Sequence, residues 1–468
     1  MDRIIQYTEE FLTVISEKIL NGITDVDELS ADVLSDCKKL AREIVQEIIT
    51  QMNETMRQDK KTRKDLGLVM KEKDRHRRII TELGELEFSR DYYYNNLDEK
   101  YEVPLDKMIG IQPRERVGDS VSANLVDLAT EMSYAKSAAI ATGGLVSRQT
   151  VKNQINRIPI LEKKAEESGR IAKTLDVYAD EDHVHMQKPN KKRGKKNQMV
   201  PLVTVSEGVE FVSTRRGKTV RPMHFVNERF DSDELWTSVE GYIEKTYDID
   251  SIESIRIHAD GGKWIQNGLE NFPNVEHVMD GYHLQKRLKQ LDNRFKGHLI
   301  KRSIEWAINE GNYYKAEVAL GNLYSKCKSE ADANAISEMT TYLGSHWEAI
   351  TNRYKDGVTG SCTEGQVSHL LSERFSRNPM GWSKTGLGKL STLRIYKKNG
   401  GIICNKHFKA DYEIKESYSE YAEKLVQKSK RRYDFSWMTE LKENYIIDTA
   451  SATQYRLREM TEMHWRLN

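Results

Sequence analysis

Three acidic side chains in widely separated segments could carry out metal-dependent chemistry. Asp180 lies in YADEDHVHMQ, Asp260 in RIHADGGKWI and Glu364 in SCTEGQVSHLLSERF. We expect the first two segments to be β-strands and the third to open an amphipathic helix. Divalent ions such as Mg²⁺ or Mn²⁺ prefer carboxylate oxygens, and a pair of ions clamps the attacking and the leaving oxygen of a phosphodiester. The pattern therefore predicts a site for two-metal phosphoryl transfer.

Alternating apolar residues predict the strands that position these acids. Residues 171–283 contain three successive strand patterns, TLDVYADEDHVHMQ, MVPLVTVSEGVEFVST and KTVRPMHFVN, and then helix, strand, helix and strand. This order is typical of an α/β ribonuclease H-like fold, in which the first and fourth strands are parallel neighbours. Because ligand sites collect at the carboxyl ends of such strands, Asp180 and Asp260 are expected to converge.

A predicted all-α insertion separates the second aspartate from the glutamate. Residues 284–354 have helical patterns with little strand signal, and 355–400 resume the catalytic domain with the helix of Glu364. His283, in MDGYHLQK, closes the preceding strand. It either orders a phosphate or the leaving strand in catalysis, or it only caps its helix.

The region before the catalytic domain divides into three predicted parts. Residues 1–77 are expected to be helical, 78–105 to form a β-hairpin, and 106–170 to form a helix-turn-helix-like DNA-binding region. Ser147 is predicted to cap the second helix of that motif. An ordinary helical hairpin would explain the same pattern. The polar residues expected to face DNA are Arg148, Gln149, Lys152 and Asn153.

Two further segments could contact DNA. The turn KPNKKRGKKNQ projects from the edge that carries the acids, and its basic side chains are expected to grip a DNA backbone. These side chains are Lys191, Lys192, Arg193, Lys195 and Lys196. After Glu364, Arg374 and Arg377 are expected to hold phosphates and Trp382 to stack on a base. The alternative is a solvated arginine face with a core tryptophan. Residues 401–468 form a charged helical tail without assigned chemistry.

Composition limits the class of protein. The chain has 468 residues, with Lys+Arg 73 and Asp+Glu 72, so DNA binding would need charge gathered into local patches. Its 4 cysteines have no paired spacing, which favours a reducing cytoplasm and argues against a structural zinc site. No apolar run is long enough to predict a membrane span. These features predict a cytoplasmic protein.

These motifs resemble the ISLre insertion-sequence transposases, a bacterial DDE family, over nearly the whole chain. The resemblance is most specific in YADEDHVHMQ, HADGGKWI, MDGYHLQK and EGQVSHLLSERFSRNPMGWS. Their order is similar to the wider Mutator-like arrangement, with a helical insertion before the catalytic glutamate. The resemblance implies that Asp180, Asp260 and Glu364 are the catalytic triad, and that Asp280 and His283 are a DxxH element. It also implies two Mg²⁺ or Mn²⁺ ions, terminal inverted repeats and target DNA as substrates, and at least a dimer on DNA. That the protein is bacterial and nucleoid-associated is likewise only what the family resemblance of its motifs implies.

Two other functions remain open at the level of sequence. One is a DNA-binding regulator, derived from a transposase, that no longer cuts DNA. The other is a zinc-dependent hydrolase of small substrates that uses His183 and His185 together with Asp260. Strand alternation directs those histidines away from Asp180.

Overall fold

The computed structural model of the chain contains two compact units. One comprises Met1–Ser122 with Lys409–Asn468, and the other comprises Ala123–Phe408. The residues that the structure describes are 2–20, 25–163, 168–190, 195–213, 216–360, 362–378, 380–409, 418 and 421–423. Most of the predicted tail 401–468 therefore lies outside the described residues. Among the described residues, no helix is long and apolar enough to cross a bilayer.

The first unit combines helices with a three-stranded antiparallel sheet. Its elements are α1 (Asp2–Leu20), α2 (Val26–Gln58), α3 (Lys60–Asp65), β1 (Leu68–Thr81), β2 (Gly84–Asn95), β3 (Lys100–Glu102) and α4 (Pro104–Met108). Part of the region predicted as helical, residues 68–77, is therefore a strand. Gly67, at φ 69°, turns the chain after α3, and the charged run of β1 pairs with β2. Strand β1 carries many exposed charges, and these concealed the two-residue alternation of apolar and polar residues by which a strand is predicted.

The second unit contains a mixed five-stranded sheet in the order β10-β9-β4-β5-β8. These strands are β4 (Thr174–Asn190), β5 (Lys195–Ser206), β8 (Met223–Phe225), β9 (Ser254–Ala259) and β10 (Val275–Met279). Strand β4 is antiparallel to β5 and parallel to β9, and β10 is parallel to β9. The predicted parallel pairing of the strand that contains Asp180 with the strand that precedes Asp260 is confirmed.

One predicted strand is divided in two. The segment expected to be continuous from 199 to 214 breaks at Gly208, whose φ is 115°. Residues beyond the break form a separate two-stranded ribbon of β6 (Val209–Ser213) and β7 (Arg216–Thr219). A left-handed glycine turns the chain out of the main sheet, and period-two hydropathy alone does not reveal such a turn.

Two helices connect and cover the parallel strands. They are α8 (Ser232–Thr246) and α9 (Lys263–Asn271), and their apolar faces share a core with Leu175, Val177 and Ile257. A Cβ atom on Gly268 would lie 2.4 Å from the Trp236 ring, so only glycine permits this approach. The same core fixes the strand segment that carries Asp180 and the strand that precedes Asp260.

Residues after β10 are helical, as the sequence predicted. The helices α10 (Gly281–Arg294), α11 (Ile300–Asn309), α12 (Tyr313–Gly321) and α13 (Glu330–Asn352) enclose a separate apolar core. Helix α13 departs from helical geometry at His346, where φ is −123° and ψ is 16°.

The remaining helices of the described chain are α5 (Asp119–Ala129), α6 (Tyr134–Thr142), α7 (Arg148–Arg157), α14 (Thr363–Val367), α15 (Glu373–Phe375) and α16 (Lys384–Lys398). Ser147 caps α7 as predicted, because its hydroxyl accepts from Thr150 N at 3.3 Å. Gly143, at φ 60°, ends α6. A π-helix over Ser368–Ser372 joins α14 to α15.

Candidate metal centre

Asp180 lies within β4, at the edge of the sheet where the other acidic residues gather. Its Oδ1 accepts a hydrogen bond from Glu181 N at 2.9 Å. Burial, together with the nearby carboxylates of Glu181, Asp260 and Asp280, raises the pKa of Asp180 to about 7, although that hydrogen bond acts to lower it. Several acids therefore lie in one small, poorly solvated region. Clustered acids with a raised pKa are typical of a cation-binding site.

Asp260 follows β9 in a tight turn. Its Oδ1 accepts from Gly262 N at 2.9 Å, and its Oδ2 lies 3.9 Å from His283 Nδ1. Gly261 has a φ of 88°, a conformation that favours glycine. The hydrogen bond holds one carboxylate oxygen within the turn and leaves the other facing His283.

Asp280 and His283 come from the junction of β10 and α10. The backbone N–H of Asp280 donates to Ala259 O at 2.8 Å, which joins this turn to the end of β9. Its Oδ2 is buried, has no hydrogen-bond partner among the described residues, and lies 3.9 Å from His283 Nε2. An unsatisfied buried carboxylate oxygen is costly, and a bound cation would compensate for it.

Glu364 reaches the same region from α14. One ligand atom from each of Asp180, His283 and Glu364 lies within 4.8 Å of the others. Two carboxylates and an imidazole suit a divalent ion. The structure thus brings two of the predicted acids, Asp180 and Glu364, together with His283. Asp260 lies beside His283 but outside this three-residue group.

Asp182 contacts the segment that follows the helix of Glu364. It lies two residues beyond Asp180 on the same face of β4 and is buried. Burial raises its pKa, and hydrogen bonds with Ser376 and Ser372 act in the opposite direction. Its carboxylate therefore contacts the π-helical segment that follows α14. Such segments occur often at functional sites.

A buried arginine, Arg394 of α16, fixes the same segment from the other side. Its guanidinium donates to Leu370 O at 2.6 Å, to His369 O at 2.8 Å and to Thr130 O at 3.0 Å. It also pairs with Glu131. These bonds tie the chain after Glu364 to the end of α5.

Two residues predicted to contact DNA are interior. Arg374 is 3% exposed, donates to Ala129 O at 3.0 Å, and has a pKa lowered by burial to about 10. Its guanidinium lies 4.8 Å from the centroid of Trp382, whose Nε1 donates to Phe375 O at 3.0 Å. Both side chains pack within the unit, which corrects the prediction that they hold phosphate and stack on a base. Arg377 is exposed.

The other predicted DNA contacts divide between surface and undescribed residues. The side chains of Arg148, Gln149, Lys152 and Asn153 are exposed, while Val151 and Ile155 of the same helix are buried. Lys191, Lys192 and Arg193 lie outside the described residues, as do the side chains of Lys195 and Lys196. The surface of α7 is therefore available to a ligand.

The histidines considered for zinc do not join the acidic group. His183 and His185 are exposed, and His183 Nε2 lies 3.7 Å from Glu181 Oε1. Glu181 in turn accepts from Trp264 Nε1 at 2.7 Å. Among the described residues, the group with metal-ligand spacing contains His283 instead.

Sequence patterns missed one neighbour of the centre. His346 comes from α13, in a region to which we assigned no chemistry, and its ring packs against Gly261. Burial and Arg287 lower the pKa of His346, while Asp260 raises it. No local pattern marks this histidine, because its position depends on the irregular turn of α13.

Residues 19–410 match the uncharacterised protein family UPF0236, and the chain belongs to that family. A UPF0236 protein of Caldanaerobacter subterraneus subsp. tengcongensis is 31% identical over 452 residues, covering 96% of this chain and 94% of the relative. Its name joins 11 loci of that strain. A UPF0236 protein from the vanSb 3′ region of Streptococcus gallolyticus is 26% identical, covering 89% of this chain and 93% of the relative.

A solved structure, the Drosophila P element transposase strand transfer complex, gives a distant match. It is 12% identical, and the alignment covers 62% of this chain and 83% of that one with a TM-score of 0.21. At that score the likeness supports no conclusion about this chain.

Proposed function

We propose that this chain is the DNA transposase of a bacterial insertion sequence, similar to the ISLre family. It would cut at terminal inverted repeats and transfer the 3′ end to target DNA. The observation that carries the proposal is the convergence of Asp180, His283 and Glu364 within 4.8 Å, with Asp260 adjacent. The residues come from strand β4, from the turn after β9 and from helices α10 and α14, and the sequence resemblance implies that three of them, Asp180, Asp260 and Glu364, form the catalytic triad.

Fold and relatives add independent support. The strand order β10-β9-β4-β5-β8, with β4 parallel to β9, agrees with the ribonuclease H-like arrangement, and helices α10 to α13 would be its insertion. A name that joins 11 loci of one strain indicates a repeated gene, as expected of a mobile element.

The donor atoms suit divalent cations. Asp180, Glu364 and His283 would hold one ion, and Asp260 with the unsatisfied Oδ2 of Asp280 would help to hold a second. Bound Mg²⁺ or Mn²⁺ would supply the positive charge that activates a nucleophilic oxygen and stabilises the leaving oxygen.

The side chains contribute position and charge to this reaction. Asp180 must lose its proton before it can bind a cation, so its raised pKa couples ion binding to pH near neutrality. The hydrogen bonds from Glu181 N and Gly262 N keep one oxygen each of Asp180 and Asp260 fixed. No covalent protein intermediate is needed. Two element ends must meet, so we expect at least a dimer on DNA.

Cleavage of a labelled duplex that carries the element's terminal repeat tests the proposal. We expect nicking at the repeat end with Mg²⁺ or Mn²⁺, and loss of nicking in Asp260→Ala and Asp180→Asn. The surface variant Asp231→Asn is the control. Metal-dependent cutting that survives in Asp180, Asp260 and Glu364 variants alike would overturn the assignment.

A second outcome would favour a regulator. Helix α7 exposes Arg148, Gln149, Lys152 and Asn153, a surface suited to DNA whether or not the chain cuts. Specific binding by the wild-type protein without cleavage under any divalent ion would identify a DNA-binding protein derived from a transposase.

A further inference from the structure

A cationic and aromatic cluster from α10 and α13 lies beside the carboxylates. Tyr342 lies beneath the other two side chains of the cluster and is 9% exposed. The guanidinium carbon of Arg287 lies 4.4 Å from the Tyr342 ring centroid, and the His346 ring centroid lies 5.2 Å from it. The Tyr342 hydroxyl lies 3.2 Å from Met279 Sδ, so the cluster rests on the end of β10.

The cluster adjoins the turn that carries Asp260. His346 Cε1 lies 2.8 Å from the position that a Cβ atom on Gly261 would take. Helix α13 loses its regular geometry at His346, and the ring there contacts this turn. Glycine at 261 is therefore required twice, by its φ of 88° and by the histidine. The helical region thus has a side chain in contact with the centre.

Arg287 has the chemistry of an anion ligand. Its side chain is exposed, and no ion pair engages it among the described residues. Planar guanidinium groups bind phosphate oxygens through paired N–H donors, and stacking on an aromatic ring orients them beforehand. The imidazole of His346 offers an additional N–H donor beside it.

We propose that Arg287 and His346 form a phosphate-binding subsite, above Tyr342, for the DNA backbone next to the scissile bond. This inference rests on the proposed transposase function and deepens it. The four carboxylates at the centre repel a polyanion when no ion is bound, and two divalent ions would only neutralise them, so the approaching strand needs cationic contacts beside the centre. On this account, the helices α10 to α13 contribute directly to substrate binding.

Charge removal at two positions of one helix tests the subsite. Arg287→Gln removes the proposed contact, Arg287→Lys keeps the charge, and Lys289→Gln removes an exposed charge about 200° around α10. One assay measures the affinity for a labelled duplex over a range of salt concentrations in chelator. The other measures steady-state nicking of supercoiled plasmid in Mn²⁺.

We expect Arg287→Gln to lower the steepness of log affinity against log salt by about one. It should raise the KM for plasmid about tenfold, the loss of one charge-assisted contact, with little change in kcat. Arg287→Lys should recover the salt dependence, and Lys289→Gln should resemble the wild type. His346→Phe, which keeps the packing on Gly261, should raise KM without lowering the denaturation midpoint.

The outcomes separate the two proposals. Equal effects of Arg287→Gln and Lys289→Gln, or no effect of Arg287→Gln, would overturn the subsite and leave a cutting transposase intact. A wild-type protein that neither binds nor nicks DNA would overturn both, since the subsite would then have no substrate.

Discussion

Replacing Asp180 by Asn should stabilise the metal-free protein while abolishing cleavage. The carboxyl is half-buried among other acids, and burial with those neighbours raises its pKa from 3.8 to about 7. Asn keeps the oxygen that accepts from Glu181 N at 2.9 Å and removes the charge. The substitution therefore relieves an unfavourable group without breaking the strand.

The sign and size of the effect follow from proton linkage. Between about pH 4 and pH 7 the folded protein binds a proton at Asp180 that the unfolded chain has already released. The free energy of unfolding of the wild type therefore falls as pH rises through this window and is level above it. A difference between 3.8 and about 7 corresponds to at most about 4 kcal/mol, since each pKa unit is worth about 1.36 kcal/mol.

Urea denaturation in chelator, followed by tryptophan fluorescence, measures this gain. The signal reports mainly on residues 123–408, which contain Trp236, Trp264, Trp306, Trp347 and Trp382, five of the chain's 7 tryptophans. Asp180→Asn should be more stable than the wild type at pH 8 and much less so near pH 4. Adding Mn²⁺ should stabilise the wild type by mass action and not the variant.

The matched control is Asp231→Asn. Asp231 caps α8 through bonds to Asp233 N and Glu234 N that an Asn side chain also makes, so its stability should change little. A gain for Asp180→Asn that is the same at both pH values, or a loss at pH 8, would refute the electrostatic account of the site.

Three further predictions concern the surroundings of the site. Gly261→Ala should lose about 1–3 kcal/mol of stability by urea denaturation, because a Cβ would meet His346 at a φ of 88°. Arg394→Met should lose about 3–5 kcal/mol in the same assay, because three backbone carbonyls, two of them buried, and Glu131 lose their donor. The exposed pair Lys398–Glu131 provides its control, with less than about 1 kcal/mol lost in Lys398→Met. Asn153→Ala should weaken binding to a repeat-bearing duplex about tenfold in electrophoretic mobility shift, if α7 contacts base edges; unchanged affinity would exclude that role.

Local patterns were sufficient for several features whose determinant is short-range. Ser147 and Gly143 could be placed as helix signals because capping and left-handed turns depend on a few neighbouring residues. The exposed face of α7 followed from its helical period, and the pairing of β4 with β9 followed from the order of the elements. The positions of Asp180 and Asp260 at one sheet edge are consequences of that order.

Burial and long-range contacts could not be predicted in this way. Arg374 and Trp382 have the composition of a DNA-binding surface, but both are buried, because Arg374 donates to Ala129 O at the end of α5 and stacks on Trp382, which donates to Phe375 O. The hydropathy of a side chain does not predict which carbonyl will accept its hydrogen bond. The break at Gly208 was likewise invisible, because alternation continues on both sides of it.

The amino-acid sequence by itself determined most of the helices and strands of residues 123–408, their order and the positions of the acids within them, since each depends on nearby residues and on chain connectivity. Only the tertiary structure decided that His283 joins Asp180 and Glu364, and that His346 reaches Gly261. Those contacts join residues about eighty positions apart or more along the chain. They form because separate apolar cores fix the helices against the sheet.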